Sequence, residues 1–552
     1  MSELISPPQV SDRWAGHHIS ELTTPKVLAA KAELNGDKVF MRYLPDGSTL
    51  TYRELDQRSN AIAHGFAALG VRQGSHVAFL MENSVEQLLS YFALGKLGAV
   101  CVPLNTASRA QQLSYLLAHS DAEMLIVDAS LWERYAEVRD TLPGLKRVVV
   151  LGDVNDAMKS GAGAAVQVHP FEVLLSDNTT LPEAQVHFAD PAYIIYTSGT
   201  TGPSKGVMIS QAQCFLWGLS HAQAFGQRDD DIAYICLPMF HVNALQGATY
   251  NALMVNAGIA LQKRFSASGF WSDVRRSGAT LTNLLGSMIN ILWSAAPKED
   301  DADNRLRMCM SAPIPDFGRD FEKRFGLRFI QSYSLTDFGP SHAFSLVDPV
   351  SKLGSCGRAR AGIQARIVDE NDFELQAGQR GELVLRHEMP WSHSLGYYKM
   401  PEATAKAWRN GWFHTGDCGY VDEDGYFWFL DRTKDAIRRR GENISAYEVE
   451  KVLLQHPAVQ EAAVFAVKSE MSEDEVAAAI VCKPGQRVAE AELVEFCRVA
   501  MAYYMVPRFI QFVPDLPHNA SQKVEKFKLR QTADADRSVL WDREQAGIKI
   551  SR

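Results

Sequence analysis

No two of the eight cysteines are spaced as C-x-x-C, no apolar run reaches the ~18 uninterrupted residues of a membrane-spanning helix, and the formal charge of −9 leaves no basic excess. Each absence removes a class of function. Cys101, Cys214, Cys236, Cys309, Cys356, Cys418, Cys482 and Cys497 are scattered, several inside apolar runs such as Ala99-Val100-Cys101-Val102, so they read as buried, reduced thiols of a cytosolic protein. The nearest approach to a basic cluster is Arg438-Arg439-Arg440, and no nucleic-acid partner is expected. The opening Met1-Ser2-Glu3-Leu4-Ile5-Ser6-Pro7-Pro8 has neither a basic n-region nor an apolar h-region, and Ile550-Ser551-Arg552 is not a peroxisomal ending of the Ser-Lys-Leu type. A cytoplasmic location without a transmembrane segment is expected. No period of roughly 20–50 residues suggests a solenoid.

With 552 residues, 46% of them hydrophobic, the chain can fill two or more domains. Its first 430 or so residues alternate β-like runs with helical stretches, the pattern of a layered α/β architecture. His76 to Met81 reads as a strand, Ser84 to Leu97 as a helix, and Val100 to Pro103, Met124 to Val127 and Val148 to Leu151 as further strands. Gly152 to Ala165 and Pro297 to Arg305 read as solvated loops. Asp424-Gly425, between two aromatic runs, signals a hairpin, and a smaller unit begins near Arg432. Ser445-x-x-Glu448 is a capping box for a helix bearing Val449, Val452 and Leu453. Strands over 462–467, 476–481 and 508–513 and a helix over 491–503 complete a compact α+β unit. The expected division is 1–433 and 434–552.

The polar segment Tyr196-Thr197-Ser198-Gly199-Thr200-Thr201-Gly202-Pro203-Ser204-Lys205-Gly206 lies between the β-prone runs Ala192 to Tyr196 and Val207 to Ile209. Glycines let backbone N–H groups approach an anion, hydroxyls add donors, and the lysine supplies a point charge. It is not the phosphate loop G-x-x-x-x-G-K-[ST], because Ser204 precedes the lysine and Gly206 follows it. By composition alone a flexible connector would read the same way.

The order of residues 196–206 resembles the phosphate-binding signature of the adenylate-forming (AMP-binding) superfamily, which includes acyl-CoA synthetases, adenylation domains and firefly-type luciferases. Further matches run in the family's order from about residue 50 to 530. The resemblance implies a large multi-subdomain α/β N-terminal domain with a hinged, small α+β C-terminal domain. It implies that Thr197, Ser198, Gly199, Thr200, Thr201, Gly202 and Lys205 hold the departing phosphates. Met310-Ser311-Ala312-Pro313 is similar to the turn that lies against adenine, so Ser311, Ala312 and Pro313 join the nucleotide set. Gln331 to Gly339 is similar to the Tyr-Gly-x-Thr-Glu element, with Ser332 and Tyr333 against adenine and Thr336 on the α-phosphate. Asp337 stands where the family has glutamate; as a carboxylate it is implied, with Thr200, as a Mg²⁺ ligand, one methylene shorter.

Thr415-Gly416-Asp417 matches the element whose aspartate accepts two ribose hydroxyls, and Arg432 follows at a ribose- or phosphate-contacting position. Lys434 occupies the hinge position by the same resemblance; an exposed ion pair is the other reading of both Arg432 and Lys434, and for Lys434 read alone it is the better one. Arg440, Gly441 and Glu442 are similar to the turn lining the tunnel for coenzyme A; an ordinary solvated basic face is the other reading of the triple arginine. Lys523, near the end of Leu516 to Val524, maps onto the lysine that reaches the carboxylate and α-phosphate during adenylation, with Gln522 replacing the usual glycine. His241, after Pro238-Met239-Phe240, is a satisfied structural histidine when read alone; by resemblance it gates carboxylate entry, with Val242, Gly286 and Leu335 around the acyl pocket. No aspartate near His241 is available for an α-amine, which favours an acid lacking one.

The implied reaction is ATP-dependent, AMP-forming ligation: a carboxylic acid becomes acyl-AMP with loss of pyrophosphate, then a thioester of coenzyme A. Lys523, Thr336 and His241 are the implied catalytic residues, Mg²⁺ the cofactor, ATP and coenzyme A the co-substrates. Residues 432–435 and 440–444 look most like the carnitine/crotonobetaine-CoA ligase branch. Asn283 to Met288 and Leu335 to Phe338 suggest a moderately roomy apolar pocket for medium-chain, alicyclic or steroid-derived acids. An enzyme loading a separate carrier protein, or a nucleotide-binding regulator without turnover, would share the fold, and a homodimer is compatible with the sequence.

Overall fold

A computed structural model of the protein describes residues 13–14, 17–156, 158, 166–197, 204–312, 314–315, 317–432, 437–439, 442–444, 446–468, 474–501, 505–518 and 524–550. By its internal contacts the chain divides into two compact units, Met1–Ala365 with Leu385–Phe413, and Arg366–Val384 with His414–Arg552. The expected boundary at 433/434 falls inside the second unit, at residues outside those described.

In the first unit two sheets share one core. Along His76–Leu80, Val77 and Phe79 face that shared core while Ala78 and Leu80 face another, as the two-residue repeat of a strand requires. Seven strands stand in the order Lys205–Ser210, Pro191–Thr197, Val100–Pro103, His76–Leu80, Met124–Asp128, Arg147–Leu151, Gln167–Pro170, and only the first pair is antiparallel. The second sheet runs Arg358–Ala359, Gly339–Phe344, Arg328–Leu335, Met308–Ser311, Leu281–Leu284, Ile232–Ile235, Gly258–Leu261, Val39–Tyr43, Thr49–Thr51, with a parallel centre.

The helices Val85–Leu97 and Gln211–Phe225 are buried nearly all round, polar residues such as Gln87, Lys96 and Gln213 included, so neither has a face for water. Both join the shared core, where Tyr91, Phe92 and Phe215 pack with Phe79 and Tyr193 of one sheet and Phe40 and Ile259 of the other. Ser84 caps the first of these helices through Gln87 N, and Gly98 ends it at φ 65°, which only glycine adopts cheaply. The opposite sheet faces are covered by Ala110–His119 and Trp132–Ala136, and by Phe270–Ser277, Gly286–Ser294 and Gly318–Phe325.

In the second unit, Val459–Lys468, Asp474–Cys482, Phe509–Phe512 and Trp541–Asp542 form a four-stranded sheet. Its alternating residues feed two cores. Val464, Ala478 and Ile480 meet Ala446–Leu453 and Glu490–Ala500; Phe465, Ala477 and Ala479 meet Lys526–Ala535. The hairpin expected at Asp424-Gly425 is present, with Val421 opposite Phe427. Ser445, its expected capping residue, lies outside the described residues, but the helix Ala446–Leu453 buries Val449 and Leu453 as its spacing predicts.

Candidate active site

Parallel strands end together, and the loops leaving those ends converge. Ile232–Ile235, Leu281–Leu284, Met308–Ser311 and Arg328–Leu335 are successive neighbours, with Leu284 beside Ser311 and Met310 beside Ile330. Their carboxyl ends therefore bring His241, Gly286, Ser311-Ala312 and Ser332 to Thr336 to one edge of the sheet. Met310 and Ser311 finish a strand rather than form the turn that the sequence suggests, and Ser311 is buried. Pro313 lies outside the described residues.

Thr197 faces Lys205 across the antiparallel pair, so the polar segment joins two adjacent strands; Ser198, Gly199, Thr200, Thr201 and Gly202 lie outside the described residues. Gly206 has no room for a side chain, since an added Cβ would stand 2.7 Å from Ile194 Cγ2. Residues 395–398 run along this strand: Leu395 N–H donates to Met208 O at 2.8 Å and Tyr398 N–H to Gly206 O at 2.8 Å. That register sets Lys205 Nζ 4.5 Å from the centre of the buried Tyr397 ring. Burial raises the Tyr397 phenol, and so does its hydrogen bond to Asp337. Lys205, Tyr397 and Asp337 thus meet, although they come from distant parts of the chain.

Thr336 and Asp337 are half-buried in the turn between Arg328–Leu335 and Gly339–Phe344. Phe338 N–H donates to Leu335 O at 3.2 Å, and the Phe338 ring stacks on His387 at 4.2 Å. Gly339 closes the turn at φ 103°. The turn is thereby held from its buried side, with Thr336 and Asp337 half-buried on it. Tyr333 lies edge-on to His342 at 6.0 Å, and Ser332 Oγ bonds His221 Nε2 at 3.0 Å. Burial, reinforced by the Arg360 charge, pushes His221 down to about 3, so its ring is neutral.

His241 immediately precedes the short helix Val242–Ala244, and its ring lies 4.6 Å from Phe240. The chain continues into a π-helix, Leu245–Tyr250, a rare geometry often found at functional sites. Asn283 Nδ2 donates to Asn243 Oδ1 at 2.7 Å, tying the segment of His241 and Val242 to the one that starts the Gly286 helix. Val242, Leu285 and Met288 pack on the shared core, while Leu335 is half-buried at the end of its strand. His221, Tyr397 and the π-helix were not picked out by the sequence. No spacing rule connects Tyr397 to Asp337.

In the second unit, Asp417 is buried on Trp412–Val421, opposite Arg432 in register. Glu382 organises the residues before it: one carboxylate oxygen accepts from Gly416 N–H at 2.9 Å and the other bonds His414 Nδ1 at 3.0 Å. Gly416 sits at φ 70°, and Thr415 Oγ1 accepts from Asp417 N–H at 3.0 Å. Arg439 corrects the solvated-face reading of the triple arginine. It is 2% exposed, with Nε 2.7 Å from Glu475 Oε2, because its strand Ile437–Arg439 is packed against Asp474–Cys482. Glu442 begins the strand opposite Arg439, and Arg440, Gly441, Lys434 and Lys523 lie outside the described residues. The ends flanking Lys523 are paired, His518 with Val524, and Glu525 N–H donates to Pro517 O at 2.6 Å.

The family described as AMP-binding enzyme matches residues 28–398, and the one described as AMP-binding enzyme C-terminal domain matches 448–523. The crotonobetaine/carnitine–CoA ligase of Salmonella typhimurium (strain LT2) is 33% identical over 488 residues, 87% of this chain and 93% of that protein. That of Salmonella paratyphi A is 32% identical over 510 residues, 90% and 97% of the two chains. Among solved structures, an anthranilate CoA ligase in complex with anthranoyl-AMP superposes with a TM-score of 0.83 at 27% identity, covering 94% of this chain and 98% of that one. O-succinylbenzoate coenzyme A synthetase from Bacillus subtilis, in complex with ATP and magnesium ion, gives a TM-score of 0.78 at 26% identity, covering 91% and 98%. No helix among the described residues is long and apolar enough to cross a membrane.

Proposed function

This chain belongs to the AMP-binding enzyme family, and from that premise we propose how its residues divide the work of an ATP-dependent, AMP-forming acid–thiol ligase. A carboxylate is a poor acyl donor because its leaving group would be oxide. Esterification to AMP supplies a better one, and attack of the carboxylate on the α-phosphorus expels pyrophosphate. The protein's contribution is positioning and charge neutralisation.

The observation that carries the assignment is the meeting of Lys205, Tyr397 and Asp337 at the mouth of the polar segment. Lys205 would neutralise the β- and γ-phosphates, with Thr197 to Gly202 donating around them. The Tyr397 ring holds the lysine from one side, while its hydroxyl orients Asp337. Asp337 offers the hard carboxylate oxygen that Mg²⁺ prefers, and this ion is usually bound by one or two carboxylates together with substrate phosphates. When bound, it would neutralise phosphate charge; Thr200 is the second assigned ligand. Tyr333, Ser332, Ser311, Ala312 and Pro313 are assigned to adenine, Thr336 to the α-phosphate, and Asp417 and Arg432 to the ribose. His241, Val242, Gly286 and Leu335 are assigned to the acyl side.

Lys523 is assigned to the carboxylate and α-phosphate in the first half-reaction, Lys434 to the hinge, and Arg440, Gly441 and Glu442 to coenzyme A. A thiol must reach the acyl-AMP carbonyl in the second half-reaction, so the lysine serves only the first. Lys523→Ala is expected to lower acid-dependent ATP–pyrophosphate exchange by on the order of 100-fold or more while sparing thioester formation from supplied acyl-AMP. Equal loss in both assays would refute the role. Carnitine, in the relatives' names, carries a quaternary ammonium, which would call for an acidic group or an aromatic cage.

A further inference from the structure

A cavity of about 20 Å³ opens beside the turn between Leu335 and Gly339, lined by Trp217 and Ser220 of the buried helix Gln211–Phe225, Pro340 of the next strand, and Arg360, His387 and Ser392. It holds about one or two water-sized groups, enough for the end of a substrate and too little for its body. Gly339 joins the cavity to the turn, because a Cβ there would meet Trp217 Cε3 at 3.9 Å and Ser392 O at 3.6 Å. From the other side, His221 links the same helix to Ser332, and its ring lies 3.4 Å from where a Gly247 Cβ would be. The hairpin that carries Ser332 to Thr336 and the helix that carries His221 thus both contribute walls to the cavity.

The polar lining is made of donors. Arg360 is fixed by its backbone, whose N–H donates to Ser341 O at 2.9 Å, and by one guanidinium bond, Nη1 to Pro340 O at 3.1 Å. A guanidinium carries five N–H donors, and among the described residues no carboxylate pairs with this one. Trp217 is 2% exposed, and its indole Nε1–H has no hydrogen-bond partner in the described residues. Burial lowers Arg360 to about 10, which keeps it cationic at neutral pH, and pushes His387 and His342 down to about 3, which keeps them neutral. Among the described residues the cluster therefore carries one positive charge with no carboxylate beside it, in a partly desolvated place, an arrangement that costs free energy until an anion arrives.

We propose that this cavity receives the far end of the acid substrate, and that this end is a second carboxylate bonded by the Arg360 guanidinium and the Trp217 indole N–H. The inference rests on the ligase reading above and narrows the substrate to dicarboxylic acids. The apolar pocket suggested by the sequence is then apolar only along its walls, and an acid ending in a quaternary ammonium is repelled.

The test measures acid-dependent pyrophosphate release with succinic, glutaric, adipic, pimelic and terephthalic acids against butyric, valeric, hexanoic, heptanoic and benzoic acids, with 4-trimethylammoniobutyrate as the cationic probe. The best diacid should exceed its matched monoacid in kcat/KM by at least about tenfold, and the cationic acid should be inactive. Arg360→Leu should lower kcat/KM for that diacid by on the order of 100-fold while leaving or improving the monoacid. Trp217→Phe keeps the ring, removes the donor, and should weaken the diacid selectively by a smaller factor. A wild-type preference for monoacids or for the cationic acid overturns the inference and leaves the ligase reading standing. Equal losses on diacid and monoacid in both variants also overturn it. Absence of release with every acid overturns the ligase reading itself and the inference with it.

Discussion

Tyr397→Phe separates the two things this residue does at the site. The variant keeps the ring against which Lys205 rests, a contact of about 0.5–2 kcal/mol, and deletes only the hydroxyl bonded to Asp337. A hydrogen bond to a charged group contributes about 1.5–3 kcal/mol. Asp337 is half-buried, so water can replace part of that bond, and the net loss should be about 1–2 kcal/mol, or roughly 5–30-fold. Because the loss concerns the residue assigned to the metal and phosphates, it should appear in ATP–pyrophosphate exchange at limiting Mg²⁺ and be partly relieved by excess Mg²⁺. Thioester formation from supplied acyl-AMP, which uses no pyrophosphate, should be unchanged. Tyr397→Leu removes ring and hydroxyl together and should be worse by the ring contact. Wild-type exchange by Tyr397→Phe, or identical losses by the Phe and Leu variants, would refute the reasoning. Tyr397 is 8% exposed and packs in the shared core, so melting temperatures must be compared alongside.

Two predictions concern stability. His221, His342 and His387 are each pushed from 6.5 to about 3 by burial, so their neutral forms are the folded ones. Between those values the unfolded chain binds the extra protons; stability is therefore full above about pH 6.5 and falls as pH drops, by about 1.4 kcal/mol per pH unit for each histidine. Urea unfolding followed from pH 7 to 4.5 should show this slope, and His387→Gln should reduce it by one histidine's share; an unchanged slope would count against the buried neutral ring. In the second unit, Arg439→Met would take from Glu475 its nearer guanidinium, 2.7 Å away against 3.7 Å for Arg508, and should cost about 2–4 kcal/mol. Calorimetry checks this, and a variant as stable as the wild type would mean that the pair's attraction only offsets its desolvation.

Much of the fold was legible because it is written in local patterns. Val77 and Phe79 alternate with Ala78 and Leu80, Ser84 caps a helix that Gly98 ends, and Asp424-Gly425 turns a hairpin. That the segment 196–206 joins two strands was legible for the same reason, since the β-prone runs on either side of it are contiguous. The sequence leaves Arg438-Arg439-Arg440 open between a coenzyme A contact and a solvated face, because three consecutive arginines carry no sign of which strand face they occupy; packing against Asp474–Cys482 turns Arg439 inward onto Glu475. Met310-Ser311 is expected as part of a turn only through the resemblance of residues 310–313 to the family's adenine-side turn; in the structure both residues end the strand Met308–Ser311.

By itself the sequence determined the order of elements, the family, and the reaction type, each of which depends on residues adjacent along the chain. Tertiary structure alone decided the rest. Tyr397 reaches Asp337 only because residues 395–398 pair with Lys205–Ser210, and His221 reaches Ser332 only because the helix Gln211–Phe225 is buried beside the hairpin. Arg360 becomes a cation without an acidic partner among the described residues, rather than a surface charge, only when Trp217 and His387 close around it. Contacts of this kind join residues distant in sequence, and no local periodicity or composition encodes them.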